Sequence, residues 1–309
     1  MKKIIALAIT IFAATTFAKE TITLYVGNAP NQPNVSAYIK TIEIANRIQD
    51  RYDFMLEFRA GANGSIALKA MDQSPQNKLA TVAPAFVENA KQGLINESDY
   101  VPVSSQGEAC WAVITNIGDT QKGIESLRGQ REIVVGGTGF GNAAHLTAII
   151  LGEKYGFNVR YIVFKSNFDA LVNMTGSNDI NFVLERVQNF KNFREKNPRL
   201  QILGINCSRR NIEMPAIRTL KEQGVETPTI FFAILANNKM PESKRKEISV
   251  ILESAQKQVG NQFLTDSADL FAPQFARPPI PVEEFFDRKV SQMHYLTTKY
   301  KEQINSARK

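Results

Sequence analysis

Residues 134–156 read VVGGTGFGNAAHLTAIILGEKYG, and this stretch decides the fold class of the chain. An apolar run leads into a glycine-rich turn, and the turn leads into a segment whose apolar residues recur at helical spacing. Asn142 is placed to cap a helix over Ala143–Tyr155, and Gly156 is placed to end it. The stretch therefore predicts a strand, a turn and a helix, which is the repeating unit of α/β folds.

The glycine-rich turn has three possible roles: to hold a nucleotide phosphate, to hold a smaller anion, or only to bend the chain. Small residues let backbone N–H groups approach a ligand, and a helix N-terminus favours negative charge. A dinucleotide site requires an acidic residue at the end of the next strand, but that strand ends at Lys165, and no Walker lysine follows the turn. The residues disfavour a nucleotide and leave the other two roles open.

Strands and helices alternate on both sides of this stretch, which predicts mostly parallel sheets covered by helices. The predicted strands include TITLYVG (21–27), FMLEFRA (54–60), ACWAVITN (109–116) and TIFFAILAN (229–237). The predicted helices include one opening at Ala37, one over SKRKEISVILESAQKQV (243–259) and the tail after Pro281.

The N-terminus, MKKIIALAITIFAATTFA, is typical of a secretory signal peptide that is cleaved near Ala18. Its apolar run is shorter than a bilayer span requires. We therefore expect a periplasmic protein whose mature chain starts near Lys19. Without Lys2 and Lys3, 35 basic and 30 acidic residues remain, and they are interspersed. This pattern indicates a solvated surface rather than a nucleic-acid interface, and the positive balance suits small anions.

Neither the cysteines nor the histidines form a reactive cluster in the sequence. Cys110 and Cys207 are far apart, and the sequence leaves open whether they form one disulfide or two buried thiols. His145 and His294 lack metal-ligand spacing, and no G-x-S-x-G motif occurs. We predict no metal, no cofactor and no enzymatic activity. His145, near the third helical position after the turn, is expected to stay neutral because of the helix dipole.

Three stretches together carry a family resemblance: residues 133–185, FRAGANGSIAL (58–68) and LQILGINCSRRNIEMPAIRTLKEQGVE (200–226). In their order along the chain, 58–68, 133–185 and 200–226, they resemble the substrate-binding proteins of tripartite tricarboxylate transporters, the Bug or TctC family. That family has a G-x-G-S-x-x-H-L turn and helix where this chain has GTGFGNAAHL. The resemblance runs from about Thr21 to about Val259.

The resemblance implies a two-lobed periplasmic-binding-protein fold, type II-like (Venus flytrap), with a mostly parallel sheet in each lobe. Lobe 1 would comprise residues 19–113 and 232–309, and lobe 2 residues 114–231, with crossovers near 111–116 and 231–235. The implied function is to capture a small organic carboxylate between the lobes and deliver it, as a monomer, to the membrane components of a tripartite transporter. An exported sensor subunit for a signalling receptor and an enzyme on the same scaffold are the alternatives.

The resemblance also implies which residues line the cleft. They come from the loop after the first strand, from the region after the third strand, from the glycine-rich turn, from the next helix start and from one later strand end: Asn28, Ala29, Pro30, Asn31, Ser36, Ala85, Thr138, Gly139, Phe140, Gly141, Asn142, Ser166, Asn167, Phe168 and Glu185.

Several of these residues depart from the family pattern. NAPNQPNVS stands where the family has paired glycines and an aspartate, Asn142 replaces a serine, and Ser166 and Asn167 replace two glycines. We therefore expect carboxylate capture with a changed ligand preference. If Glu185 faces the cleft, it would repel a second carboxylate or attract an amine, and a surface or salt-bridged glutamate is the alternative. Phe140 and Phe168 could stack on a ligand or pack in the core.

Overall fold

The structure is a computed structural model of the chain. It describes residues 18–28, 33–61, 64–82, 86–109, 111–177, 179–207, 210–211, 214–266 and 281–308. Of the predicted features, the signal peptide up to residue 17, the site residues Ala29, Pro30, Asn31 and Ala85, and Cys110 lie outside the described residues.

The first sheet is formed by the N-terminal strands and one late strand. Its strands are β1 (Glu20–Val26), β2 (Tyr52–Phe58), β3 (Lys78–Thr81), β4 (Tyr100–Ala109) and β10 (Ile230–Asn237), in the order β2-β1-β3-β10-β4. β1 is parallel to β2 and β3, whereas β10 is antiparallel to β3 and β4.

The second sheet is formed by the middle of the chain. Its strands are β5 (Trp111–Thr115), β6 (Glu132–Gly137), β7 (Asn158–Val163), β8 (Phe182–Glu185) and β9 (Gln201–Asn206), in the order β7-β6-β8-β5-β9. β6 is parallel to β7 and β8, whereas β5 is antiparallel to β8 and β9.

The sheets are mixed and not mostly parallel as the sequence predicts. The chain changes sheets between Ala109 and Trp111, and again between Asn206 and Ile230. A strand that comes directly from the other sheet begins at the edge where the chain crosses between the sheets. It is therefore antiparallel to the strands that end at that edge. β5 and β10 are these arriving strands, which explains the antiparallel pairs. The alternating α/β organisation is otherwise as predicted.

The helices cover the sheets. They are α1 (Pro33–Arg47), α2 (Ser65–Asp72), α3 (Phe86–Lys91), α4 (Ala143–Tyr155), α5 (Asn167–Gly176), α6 (Val187–Arg194), α7 (Glu242–Asp266), α8 (Val282–Lys299) and α9 (Lys301–Ala307). α1 begins at Pro33 and not at Ala37 as predicted, because proline fits the first helical position. None of the helices in the described ranges has the length and hydropathy that a bilayer crossing requires.

Each sheet buries a core on both of its faces. α1 and α7 cover one face of the first sheet, and α2, α3 and α8 cover the other. α4 covers one face of the second sheet, and α5 and α6 cover the other. Leu146 and Ile149 of α4 share a core with Met293 and Leu296 of α8. The C-terminal helices therefore connect the two sheets in addition to the chain crossings.

A disulfide lies beside one of the crossings. Cys207 directly follows β9, is buried and is disulfide-bonded. The only other cysteine of the sequence is Cys110, which stands between β4 and β5. Of the two alternatives that the sequence leaves open, the free thiol is therefore wrong for Cys207.

Candidate functional site

Polar residues gather where the parallel strands of the second sheet end. β6, β7 and β8 run in the same direction, so their carboxyl ends meet at one edge, and α4 and α5 both begin there. In α/β sheets this edge is where ligands bind. The edge brings together Thr138, Asn142, Ser166, Asn167 and Glu185 of the predicted site.

At the start of α4, polar groups of the turn form hydrogen bonds with one another. Asn142 Oδ1 accepts the His145 N–H at 3.0 Å, and Asn142 Nδ2 donates to Thr138 Oγ1 at 3.1 Å. The Gly141 N–H donates to His145 Nδ1 at 3.0 Å. The predicted cap at Asn142 and the predicted end at Gly156 are both confirmed. The N–H groups of Gly141 and His145 are thus already occupied by internal hydrogen bonds.

His145 is buried against two aromatic rings. Its side chain is 1% exposed, and its ring centroid lies 4.2 Å from that of Tyr161 and 5.7 Å from that of Phe140. Burial, with a smaller contribution from the positive charge of Arg308, lowers the pKa of His145 to about 4. The prediction of a neutral imidazole is confirmed, although the main cause is burial and not the helix dipole.

An acidic side chain of α3 lies against the glycine-rich turn. A Cβ added to Gly141 would lie 3.0 Å from Glu88 Oε2, and Gly141 has a φ of +71°. Glu88 is 7% exposed, accepts a hydrogen bond from Gln92 Nε2 at 3.0 Å and forms an ion pair with Arg308. Glu88 has no distinctive sequence pattern, because its contacts with Gly141 and Arg308 are made only by the tertiary fold.

Phe140 packs into the protein at this turn. It is half-buried, contributes to the cores on both sides of α4 and lies 5.9 Å from the Arg308 guanidinium. Of its two predicted roles, the structure therefore supports core packing. Gly139 and Gly141 are also buried.

The start of α5 has the same kind of cap as α4, which likewise leaves its first two N–H groups, those of Ala143 and Ala144, without an intrahelical acceptor, but the side chains around it differ. Ser166 Oγ accepts the Asp169 N–H at 3.0 Å and so caps the helix. The N–H groups of Asn167 and Phe168, the first two of the helix, have no intrahelical acceptor. Asn167 is 6% exposed, and its Oδ1 has no hydrogen-bond partner among the described residues. Phe168 is 44% exposed and makes an edge-to-face contact with Phe193 at 5.6 Å.

Glu185 ends β8 at the same edge. It is 5% exposed and accepts the Arg186 N–H at 2.7 Å, and its carboxylate lies 3.9 Å from Arg186 Nε. Glu185 is thus a buried, salt-bridged residue and not a surface glutamate. The sequence does not predict a role for Arg186, since a basic residue after a strand has no distinctive pattern. Lys165 is exposed.

The remaining predicted residues belong to the corresponding edge of the first sheet. Asn28 follows β1 and is half-buried, and the neighbouring Gly27 N–H donates to Thr81 Oγ1 at 3.0 Å. Ser36 lies in the first turn of α1 and not in a loop, because the helix starts earlier than predicted.

Away from this edge, the described residues form no metal site, and one polar cavity lies elsewhere. No group of three or more His, Cys, Asp or Glu side chains in the described ranges could hold a metal ion. A polar cavity of about 240 Å³ includes Asn116 and Arg199, at the opposite edge of the second sheet.

Comparison with known proteins identifies the fold. Residues 118–268 match the model of the tripartite tricarboxylate transporter family receptor, TctC. The solved structure of the periplasmic binding protein BugD is 16% identical over 92% of this chain and 98% of its own, with a TM-score of 0.68. No curated protein matches the sequence.

Two further solved structures share the fold. MatC of Rhodopseudomonas palustris with bound malate is 16% identical over 91% of this chain and 99% of its own, with a TM-score of 0.67. An R. palustris protein with adipate is 15% identical over 93% of this chain and 97% of its own, with a TM-score of 0.68. The predicted two-lobed fold is confirmed, the family resemblance is confirmed over residues 118–268, and the receptor description of that family agrees with a binding protein rather than an enzyme.

Proposed function

Since residues 118–268 match the receptor of the tripartite tricarboxylate transporter family, we propose that this chain captures a small organic carboxylate outside the cytoplasm and delivers it to the membrane components of such a transporter. The observation that carries the proposal is the start of α5. Two helix-terminal N–H groups stand there at the ligand-binding edge of a sheet, with the cap already supplied by Ser166. Such groups favour a carboxylate.

The ligand class is further supported by the bound acids of the neighbours. Malate and adipate are both dicarboxylates, and each occupies a protein of the same fold. We assign lobe 1 to residues 19–113 and 232–309, and lobe 2 to residues 114–231. Sheet membership supports two lobes, because β1 to β4 and β10 form one sheet and β5 to β9 form the other. It moves the boundaries to between Ala109 and Trp111 and to between Asn206 and Ile230, so that β5 lies wholly in lobe 2 and β10 wholly in lobe 1. The ligand would lie between the carboxyl ends of the two sheets.

Export is part of the proposal. The neighbour BugD is described as periplasmic. In this chain β1 begins at Glu20, and Lys19 pairs with Asp50 at 3.2 Å, so cleavage near Ala18 would leave the first sheet intact. N-terminal sequencing of the exported protein would locate the cut, and a mature chain that starts well beyond Glu20 would contradict this assignment.

The test compares two substitutions at one position. Asn167→Pro removes the backbone N–H, and Asn167→Ala keeps it, while both remove the same side chain. Proline fits the first helical position, and Ser166, with ψ of 161°, already has the extended backbone that must precede proline. Calorimetric titration of chain 19–309 with small carboxylates gives the affinities, and thermal denaturation verifies the fold.

We expect Asn167→Pro to bind the best carboxylate at least about tenfold more weakly than Asn167→Ala does. The reason is that a hydrogen bond to a charged group contributes about 1.5–3 kcal/mol. Equal affinities would remove the start of α5 from the site. Failure of every carboxylate to bind the folded wild-type chain would overturn the proposed function itself.

A further inference from the structure

One buried polar atom at the site has no hydrogen-bond partner within the described ranges. Asn167 is the first residue of α5 and is 6% exposed, yet its Oδ1 has no hydrogen-bond partner in the described part of the chain. An acceptor left unsatisfied in the interior costs about 1–3 kcal/mol. The helix cap does not explain Asn167, because Ser166 supplies that cap. The Oδ1 atom is therefore an acceptor for which the described residues provide no donor.

The position of Asn167 follows from the packing of α5. Its buried residues Asn167, Ala170, Leu171 and Met174 form one stripe, which faces the second sheet. Ala170 lies against Gly136 of β6, since a Cβ added to Gly136 would come within 2.6 Å of the Ala170 Cβ. Asn167 lies one turn earlier, about 4.5 Å closer to the binding edge. It therefore extends this stripe just past the end of β6.

Glu185 lies on the same face of the second sheet as Asn167 and at the same edge. Val183 pairs with Gly136 in register and packs in the core beneath α5. Side chains two residues apart on a strand share a face, so Glu185 also faces α5, beyond the end of that core. A buried carboxylate and an amide oxygen thus flank this part of the edge. Glu185 is paired with Arg186, so the acceptor that lacks a donor among the described residues is Asn167 Oδ1, and it favours a hydrogen-bond donor of the ligand.

We propose that the ligand carries a hydroxyl or ammonium group on the carbon next to its captured carboxylate, and that Asn167 Oδ1 accepts a hydrogen bond from this group. The inference rests on the proposed function. The backbone N–H that holds the carboxylate and the Oδ1 that accepts the donor belong to one residue, so the two ligand groups must be neighbours. The ligand class is then the 2-hydroxy or 2-amino acids, and Asn167 is the residue that sets this specificity.

The test uses acids that differ only at this carbon. One set is malate, aspartate and succinate, and the other is lactate, alanine and propionate. Calorimetric titration of chain 19–309 should show the hydroxy or amino member of a set binding at least about tenfold more tightly than the unsubstituted member, which corresponds to about 1.4 kcal/mol. The better of the two substituted acids identifies the donor as hydroxyl or ammonium.

Asn167→Ala should bring the substituted and unsubstituted acids to nearly equal affinity. Asn173→Ala is the matched control, because it makes the same change on α5 at a half-buried residue about two turns away, and it should keep the preference. Equal binding of substituted and unsubstituted acids by the wild-type chain would overturn the inference and leave carboxylate capture standing. A preference that survives in Asn167→Ala would overturn the role of Asn167. No binding of any acid would overturn the proposed function as well.

Discussion

The starts of α4 and α5 look alike in the sequence and differ in the structure. Each follows a parallel strand at the same sheet edge, and each is capped by a side chain, Asn142 in α4 and Ser166 in α5. At α4 the polar groups bond to one another, and Glu88 covers the turn. At α5 the Oδ1 atom of Asn167 has no hydrogen-bond partner among the described residues, and Phe168 is exposed. A glycine-rich turn thus indicates close packing as readily as ligand approach.

The largest expected contrast concerns the stability that each helix provides. Leu146 of α4 is fully buried in the core that α4 shares with α8, so Leu146→Ala should lower the free energy of unfolding by about 2–5 kcal/mol. Val172 of α5 is 44% exposed, and Val172→Ala should change it by less than about 0.5 kcal/mol. Denaturant unfolding measures both values, and similar losses would show that the two helices contribute alike.

A second contrast is the response of the α4 start to acid. The pKa of His145 is about 4 in the folded chain and about 6.5 when it is unfolded, so the unfolded state binds the proton first. The stability contributed by the neutral imidazole is complete above pH 6.5 and is lost as the pH falls from about 6.5 to about 4. The loss is on the order of 3 kcal/mol. Unfolding free energies at several pH values should therefore fall more steeply for wild type than for His145→Gln, and parallel curves would contradict this assignment.

The smallest contrast separates stability from affinity at the two caps. Asn142→Ala removes the cap of α4 and the hydrogen bond to Thr138, and should cost about 1–2 kcal/mol of stability. Ser166→Ala should cost about 0.5–1 kcal/mol, because this cap is more exposed, and should also weaken carboxylate binding by loosening the first turn of α5. Thermal unfolding measures the stability of both variants, and calorimetric titration measures their affinity for the carboxylate. A larger affinity loss in Asn142→Ala would reverse the roles assigned to the two turns.

Local signals predicted local structure well. The cap at Asn142, the helix end at Gly156 and the alternation of strands and helices were all readable from neighbouring residues. The start of α1 at Pro33 is not predicted, because the prolines and asparagines of NAPNQPNVS are typical of a loop. β4 was also missed, because Pro102 and the polar run after it weaken the strand pattern.

The sequence does not predict the long-range contacts. The ion pair of Glu88 and Arg308 joins residues that are 220 positions apart, and it decides how the turn at Gly141 is covered. The direction of β5 and β10 depends on where the chain enters each sheet, which hydrophobic spacing does not encode. The site residues stay predictions, and the structure adds that Asn167 and Glu185 share one face of one edge.

The disulfide at Cys207 has a consequence for how the protein can be produced. Cys207 begins the segment that leads out of the second sheet, and Asn206 beside it pairs with Trp111, the first residue of β5, where the chain enters that sheet. In a reducing cytosol such a bond does not persist. Protein purified from that compartment would lack the disulfide next to a chain crossing. Recombinant protein is therefore best exported to an oxidising compartment, or reoxidised, before its lobe movements or affinities are measured.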